Sequence, residues 1–460
     1  MTDRTPEAGH ADISSPLRLI SESEFGNERG PIPFFHRKRP EVASDAMRHT
    51  IVLIHRYIGL TMAGFLLVAG LTGSLLAWND ELEAAISPHL FFVTPPAPDA
   101  RPIDPLALRE RVVERYPNAR VINVPLKVEP DRAIAFFMEG PTVPATGEPA
   151  ELPDNQVFVD PYTGEVLGAR RWGDITQGLK NLMPFVYRLH YSLALGTAGI
   201  YLMGAVALLW TADCFAGVYL TLPLRRRMRP AEDRERKPWL ARWWPAWKVR
   251  WQGGAYKLNF DLHRASGLWP CVMLLVSAWS AVGFNLPEVY RPVMSAVFTL
   301  QYGEDQLPEL PRRQFEPGVS WANAREIGRE LMAVEARTKG FRVMEEQELS
   351  YDPEKALYFY YVSSDRDIQH HWGATWVAFD ANTGERRAAY LPTGEAGGDT
   401  IGTWLMSLHM AAVFGMPMKL FVCGMGLAVA MLSVTGAVIW WRKRAARRAH
   451  GRRSGDGTTA

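Results

Sequence analysis

One pattern occurs twice in this chain and limits its fold more than any other feature. The copies are His55-Arg56-Tyr57-Ile58-Gly59-Leu60 and His263-Arg264-Ala265-Ser266-Gly267-Leu268. Each runs straight into about 20 apolar residues, the length that crosses a bilayer. A second pair follows them: Leu189-His190 with Gly196, and Leu408-His409 with Gly415. From each of these later histidines it is 27 residues to a glycine, Gly217 or Gly436. The chain therefore reads as a duplicated membrane unit with one histidine near each end of each copy.

Charge placement orients the spans. Arg37, Lys38, Arg39 and Arg48 precede the first, Arg225-Arg226-Arg227-Met228-Arg229 follows the second, and Arg442-Lys443-Arg444 follows the fourth. Clusters of Lys and Arg mark the cytoplasmic side, so both copies run outward, build a domain and return. The fold class expected is membrane α-helical: four transmembrane helices in two parallel repeats, with two extracytoplasmic α+β domains. The expected boundaries are a largely disordered cytoplasmic tail (1–48), TM1 (49–78), a first outer domain (79–184), TM2 (185–223), a cytoplasmic loop (224–260), TM3 (261–286), a second outer domain (287–402), TM4 (403–441) and a basic cytoplasmic tail (442–460). The opening residues lack the apolar core of a cleavable signal. The loop interleaves Trp239, Trp243, Trp244, Trp247 and Trp251 with basic residues, which places it in the headgroup layer.

Within the outer segments, Leu106 to Tyr116 and Trp321 to Lys339 have helical patterning. Ala119 to Val128, Arg132 to Met138 and Glu348 to Val362 read as strands. Gln156 to Val166 and Thr375 to Glu385 read as strand-turn-strand, with Gly164 supplying the first turn. The net charge of +2 in 460 residues predicts no nucleic-acid partner. Cys214, Cys271 and Cys423 all fall in apolar spans and read as free thiols. No glycine-rich nucleotide loop, zinc-protease motif or cysteine pair is present. If the chain carries electrons, they would therefore have to enter from a cytoplasmic reductase or from membrane quinol.

Repeat symmetry places His55 and His263 at one depth near the cytoplasm, and His190 and His409 at another near the outside. Imidazole is a common axial ligand of haem, so each pair could clamp one haem, giving two haem b groups. Arg56 and Arg264 either snorkel to the interface or pair with a haem propionate. His10, His36, His49, His89 and His450 have no repeat support. Asp213 has no acidic match in the fourth span and reads either as a solvated acid or as a proton or propionate group. His370-His371 reads as a surface pair, with a ferric-ligand contact as the alternative. A helix unbroken from His190 to Arg225 would extend ~52 Å, so a break is expected near Gly196 with Gly199, and near Gly415 with Pro417. Lys419 would mark the outer end of the fourth span.

Taken together, these histidine motifs and the hairpins Asp160-Pro161-Tyr162-Thr163-Gly164-Glu165-Val166 and Asp380-Ala381-Asn382-Thr383-Gly384-Glu385 resemble the PepSY-associated transmembrane family of bacterial inner membranes. The resemblance covers roughly residues 49–445. It departs at Leu71-Thr72-Gly73, where the second copy has Ser280-Ala281-Val282-Gly283. It implies an iron-regulated protein similar to ferric-siderophore reductases, with both termini cytoplasmic. His55, His190, His263 and His409 would be haem-iron ligands, and a ferric-siderophore would be reduced in the periplasm. The alternative is a non-catalytic protein whose outer domains bind or regulate a periplasmic partner such as a peptidase.

Overall fold

The computed structural model describes residues 40–143, 147, 149–223, 238–370 and 372–455. The amino-terminal tail to residue 39, the Arg225–Arg229 run, His371 and residues 456–460 lie outside the described residues.

The chain enters through α1 (Pro40–Leu76), whose stretch Ala46–Leu76 is long and apolar enough to cross a membrane. A helix is the form such a run must take in lipid, because it satisfies every backbone group internally. Polar Asn79-Asp80-Glu81 ends the apolar run and opens α2 (Asn79–Ile86), with both acids in its first turn, where the helix dipole favours them. Next come α3 (Pro88–Phe91) and α4 (Pro105–Arg115). Asp104 caps α4, accepting from the Leu106 N–H at 2.9 Å, and Pro105 fills the first helical position, where its missing N–H costs nothing.

Five strands follow: β1 (Arg120–Val121), β2 (Asn123–Pro125), β3 (Ile134–Glu139), β4 (Gln156–Val159) and β5 (Val166–Arg170). The chain then returns through α5 (Leu182–Ser192) and α6 (Gly196–Thr221). Beyond the loop helix α7 (Trp239–Trp243) it leaves again through α8 (Ala255–Leu268) and α9 (Cys271–Asn285). The second outer segment holds α10 (Pro287–Ser295), α11 (Trp321–Lys339), β6 (Val343–Asp352), β7 (Leu357–Ser364), β8 (Thr375–Asp380) and β9 (Arg386–Tyr390). Finally α12 (Gly397–His409) leads into α13 (Gly415–Gly455).

Two antiparallel sheets result, ordered β1-β3-β4-β5 and β2-β6-β7-β8-β9. The stretch expected as one strand over Ala119 to Val128 is two, and they part company. β1 joins the first sheet, while β2 pairs Asn123 with Ser350 and Pro125 with Glu348 in the second. The expected strand from Glu348 to Val362 is likewise a hairpin, because Pro353 cannot donate to a ladder and Ala356 turns back with φ 50°. Both predicted strand-turn-strand units form. In each, an aspartate (Asp160 or Asp380) accepts from two backbone N–H groups of its own turn, and a glycine (Gly164 or Gly384) takes φ near 75°.

The outer segments share one core: Leu108, Phe136 and Val157 from the first pack with Met332, Leu349 and Tyr358 from the second. Burying a side chain such as Phe136 contributes about 2–3 kcal/mol. Arg325 ties the two together, reaching Asp104 at 2.8 Å and Glu346 at 2.6 Å. Burial pushes the Glu346 carboxyl up, but hydrogen bonds from Arg329, Arg325 and Tyr360 outweigh it and hold the group at about 2.

Three helical stretches among the described residues can span a membrane: Ala46–Leu76, Gly196–Thr221 and Gly415–Arg448. A fourth crossing exists if α8 and α9 count together. The third span, expected as one continuous helix, is bent by 66° between them. Pro270 lies in that break and has no N–H to continue the ladder. α6 packs on α9, α8 on α13 and α9 on α12. α1 crosses α13 where Gly70 meets Gly426: a Cβ on Gly70 would lie 2.5 Å from the Gly426 carbonyl oxygen. Small residues permit this close backbone approach. At the basic end, Trp239, Trp243, Trp247 and Trp269 form a run of ring contacts with centroids 5.1–5.3 Å apart.

The expected breaks after His190 and His409 are present. Leu193 (φ 53°) and Ala194 (φ 56°) separate α5 from α6; Ala411 (φ 55°) and Phe414 (φ 61°) separate α12 from α13. Pro417 plays a smaller part than expected: it sits in the first turn of α13, where it is tolerated. The left-handed residues before it make the turn. Shortening the second crossing to α6 gives a helix of 26 residues, roughly 39 Å, which a modest tilt fits to a bilayer. Asn285 of α9 donates to the Tyr191 and Ile200 carbonyls at 2.7 and 3.1 Å, satisfying backbone exposed by the break.

Candidate functional site: two facing histidine pairs

The four repeat histidines meet as two pairs. His55 of α1 faces His263 of α8, and His190 of α5 faces His409 of α12; in both pairs the ring centroids are 6.2 Å apart. Two imidazoles on opposite sides of one metal, each with a bond of about 2 Å and a centroid about 1 Å further back, would stand roughly 6 Å apart. The two pairs lie at opposite ends of the bundle. Thr72, which contacts His190, stands 17 residues beyond His55 on α1, a rise of roughly 25 Å.

Every histidine is held through Nδ1 by a helix of its own half. His55 is 2.8 Å from Asp213 Oδ1 of α6, and His190 is 3.0 Å from Thr72 Oγ1 of α1. His263 is 3.0 Å from Thr435 Oγ1 of α13, and His409 is 2.6 Å from Ser280 Oγ of α9. The three hydroxyl protons are already engaged: Thr72 donates to the Val68 carbonyl, Thr435 to Met431 and Ser280 to Val276, at 2.6–2.7 Å. With their protons placed there, those oxygens face the rings with lone pairs, which favours the tautomer that donates from Nδ1–H. A carboxylate at Asp213 imposes the same tautomer on His55. In all four rings Nε2 is left with its lone pair, which is the form that binds a metal.

A cavity of about 400 Å³ surrounds the His55–His263 pair, within the range of cofactor sites. Glycines keep it open. A Cβ at Gly59 would meet nothing within 4 Å, and at Gly217 only the His55 ring, 3.7 Å away. Gly267 and Gly436 line the opposite wall. Arg56 and Arg264 also line the cavity, but the two arginines differ. Arg264 is drawn to Asp261, which is wholly buried, and to the Pro245 and Lys248 carbonyls; its Nε is buried with no hydrogen-bond partner. Arg56 has no ion-pair partner among the described residues. Two facing imidazoles beside a glycine-lined slot, with Arg56 and Arg264 in its wall, are residues that fit a haem, which His55 and His263 would hold.

Other predicted positions fall elsewhere. His370 donates its backbone N–H to the Ala412 carbonyl at 3.2 Å, beside the break that follows His409. Lys419 pairs with Glu81 at 2.6 Å, just past the end of α1. Sequence reading passed over Thr435 and the hydroxyl roles of Thr72 and Ser280. A signal existed: the hydroxyl lies 17 residues after the histidine in both copies, His55 to Thr72 and His263 to Ser280. In the outer domain a second cavity, about 570 Å³, is lined by Glu139, Glu304, Glu348, Arg313 and Tyr361. Burial pushes all three glutamates up from the ordinary carboxylate range.

The sequence profile of the PepSY-associated TM region matches residues 52–443, a stretch that includes all four histidines. No curated protein matches the chain.

Proposed function

Because the chain belongs to the PepSY-associated transmembrane family, we propose that it is an inner-membrane oxidoreductase carrying two haem b groups. It would pass electrons from a cytoplasmic reductase or quinol to a ferric chelate of the siderophore type in the periplasm. The observation that carries this reading is the two facing imidazole pairs, with ring centroids 6.2 Å apart and each ring tied back through Nδ1. His55 with His263, and His190 with His409, would hold the iron; Arg56 and Arg264 would neutralise the propionates of the basic-end group. Bound haem supplies one-electron chemistry, and the protein supplies position and potential. Placing the basic end in the cytoplasm follows the positive-inside rule. The outer cavity would receive the chelate. Reduction to Fe(II) loosens hard oxygen ligands, which favour the more highly charged ion.

A second reading is favoured by two observations. The family match describes only a PepSY-associated membrane region, and among the described residues no group of three or more His, Cys, Asp or Glu could hold a bare metal ion. On that reading the outer domain binds or restrains a periplasmic partner such as a peptidase, and the histidines are structural. Sealed vesicles containing the protein, with reductant inside and a ferric chelate plus an Fe(II) indicator outside, separate the two. The redox reading predicts Fe(II) outside only in vesicles with haem-loaded protein. Equal Fe(II) with and without the protein would favour the binding role.

A further inference from the structure

We propose that Asp213 makes the two sites unequal, holding the basic-end site at the lower reduction potential so that electrons run downhill to the far end. The inference rests on the haem reading above and concerns how this chain's residues would tune the groups they hold. Among the described residues, His55 alone of the four histidines is backed by a carboxylate, 2.8 Å from its Nδ1. The other three are backed by hydroxyls. Asp213 lies inside α6 with its side chain only 9% exposed. An acid there is expensive to keep and calls for a role. The matching place in the other half, four residues before Gly436, is Leu432, which offers His263 only its backbone carbonyl at 3.2 Å. The negative charge is thus confined to one site.

A carboxylate hydrogen-bonded to the far nitrogen of a ligating imidazole makes that ligand more basic. In a membrane interior its charge is weakly screened. Both effects favour the more positively charged, oxidised state of whatever metal His55 holds. The hydroxyls of Thr72 and Ser280 orient His190 and His409 without adding charge. Asp213 is on this account a positioning residue: it acts through His55 and sets a direction with no moving part.

The test is a potentiometric titration of the purified full-length protein, loaded with haem and followed by visible absorbance, for wild type, Asp213→Asn and Asp213→Thr. Wild type should give two one-electron transitions. Both variants should raise the lower one by at least tenfold in equilibrium constant, ~59 mV for a one-electron couple, and leave the upper one in place. Thr copies the residue type used behind His190 and His263, and covers the case in which Asn does not fold. His409→Ala should keep the lower transition, which assigns it to the basic end. An unmoved lower transition in the variants, or a shift of the upper one instead, overturns the proposal while the haem reading survives. A folded protein that takes up no haem defeats that reading, and this proposal with it.

Discussion

The two ends of the bundle use one plan with different surroundings. At both, histidines from the two halves face each other at 6.2 Å with Nδ1 tied back. At the basic end His55 stands within the long α1 and His263 on α8 before its bend, beside an open glycine-lined cavity near Asp213, Arg56 and Arg264. At the far end they stand on short helices just before left-handed breaks, and hydroxyls hold them. Ligand geometry and electrostatic setting are thus specified by separate residues, so each can be altered alone.

The largest effects should come from the ligands. His55→Ala or His263→Ala should abolish binding at the basic end and leave the far end filled, halving the haem absorbance per chain; His409→Ala should do the reverse. If one such change emptied both ends, the sites would not be independent. Next comes space. Gly59→Leu places a side chain where a Cβ now meets nothing, so the protein should fold while basic-end occupancy falls tenfold or more. Full occupancy there would mean that the cavity does not admit the macrocycle. Smaller again are the supporting hydroxyls. Thr72→Val and Ser280→Ala should each weaken haem retention only at the far end, by about tenfold, measured as transfer to an apo-globin. Loss at the basic end would break the assignment. The smallest effect is strain: Ala194→Gly, half-buried and at φ 56°, should stabilise the protein by about 1 kcal/mol, read as a modest rise in melting temperature with haem content unchanged.

Most of this plan was legible in the chain because duplication repeats spacing. Histidine–glycine intervals located the helices and the breaks, and the Asp-x-x-Thr-Gly hairpins appear as their sequence implies. What escaped depends on contacts between distant segments. Nothing near Asn123 says that its strand will pair with Ser350 in the other half, since any short alternating run can join either sheet. Arg56 and Arg264 look equivalent in sequence, yet Asp261 and two loop carbonyls hold only the second. Asp213 is a lone acid in an apolar run until folding sets His55 beside it. Pro270 was visible, but a proline in a span can kink or break it, and only packing of α8 on α13 and α9 on α6 decides that.

The central claim is that these imidazole pairs each grip one haem. It is tested most directly by the absorbance spectrum and haem count of the full-length protein purified from cells supplied with haem. The account predicts two haems per chain, with a Soret band that shifts on reduction and the sharp visible bands of bis-histidine ligation. A folded preparation that stays colourless would contradict it.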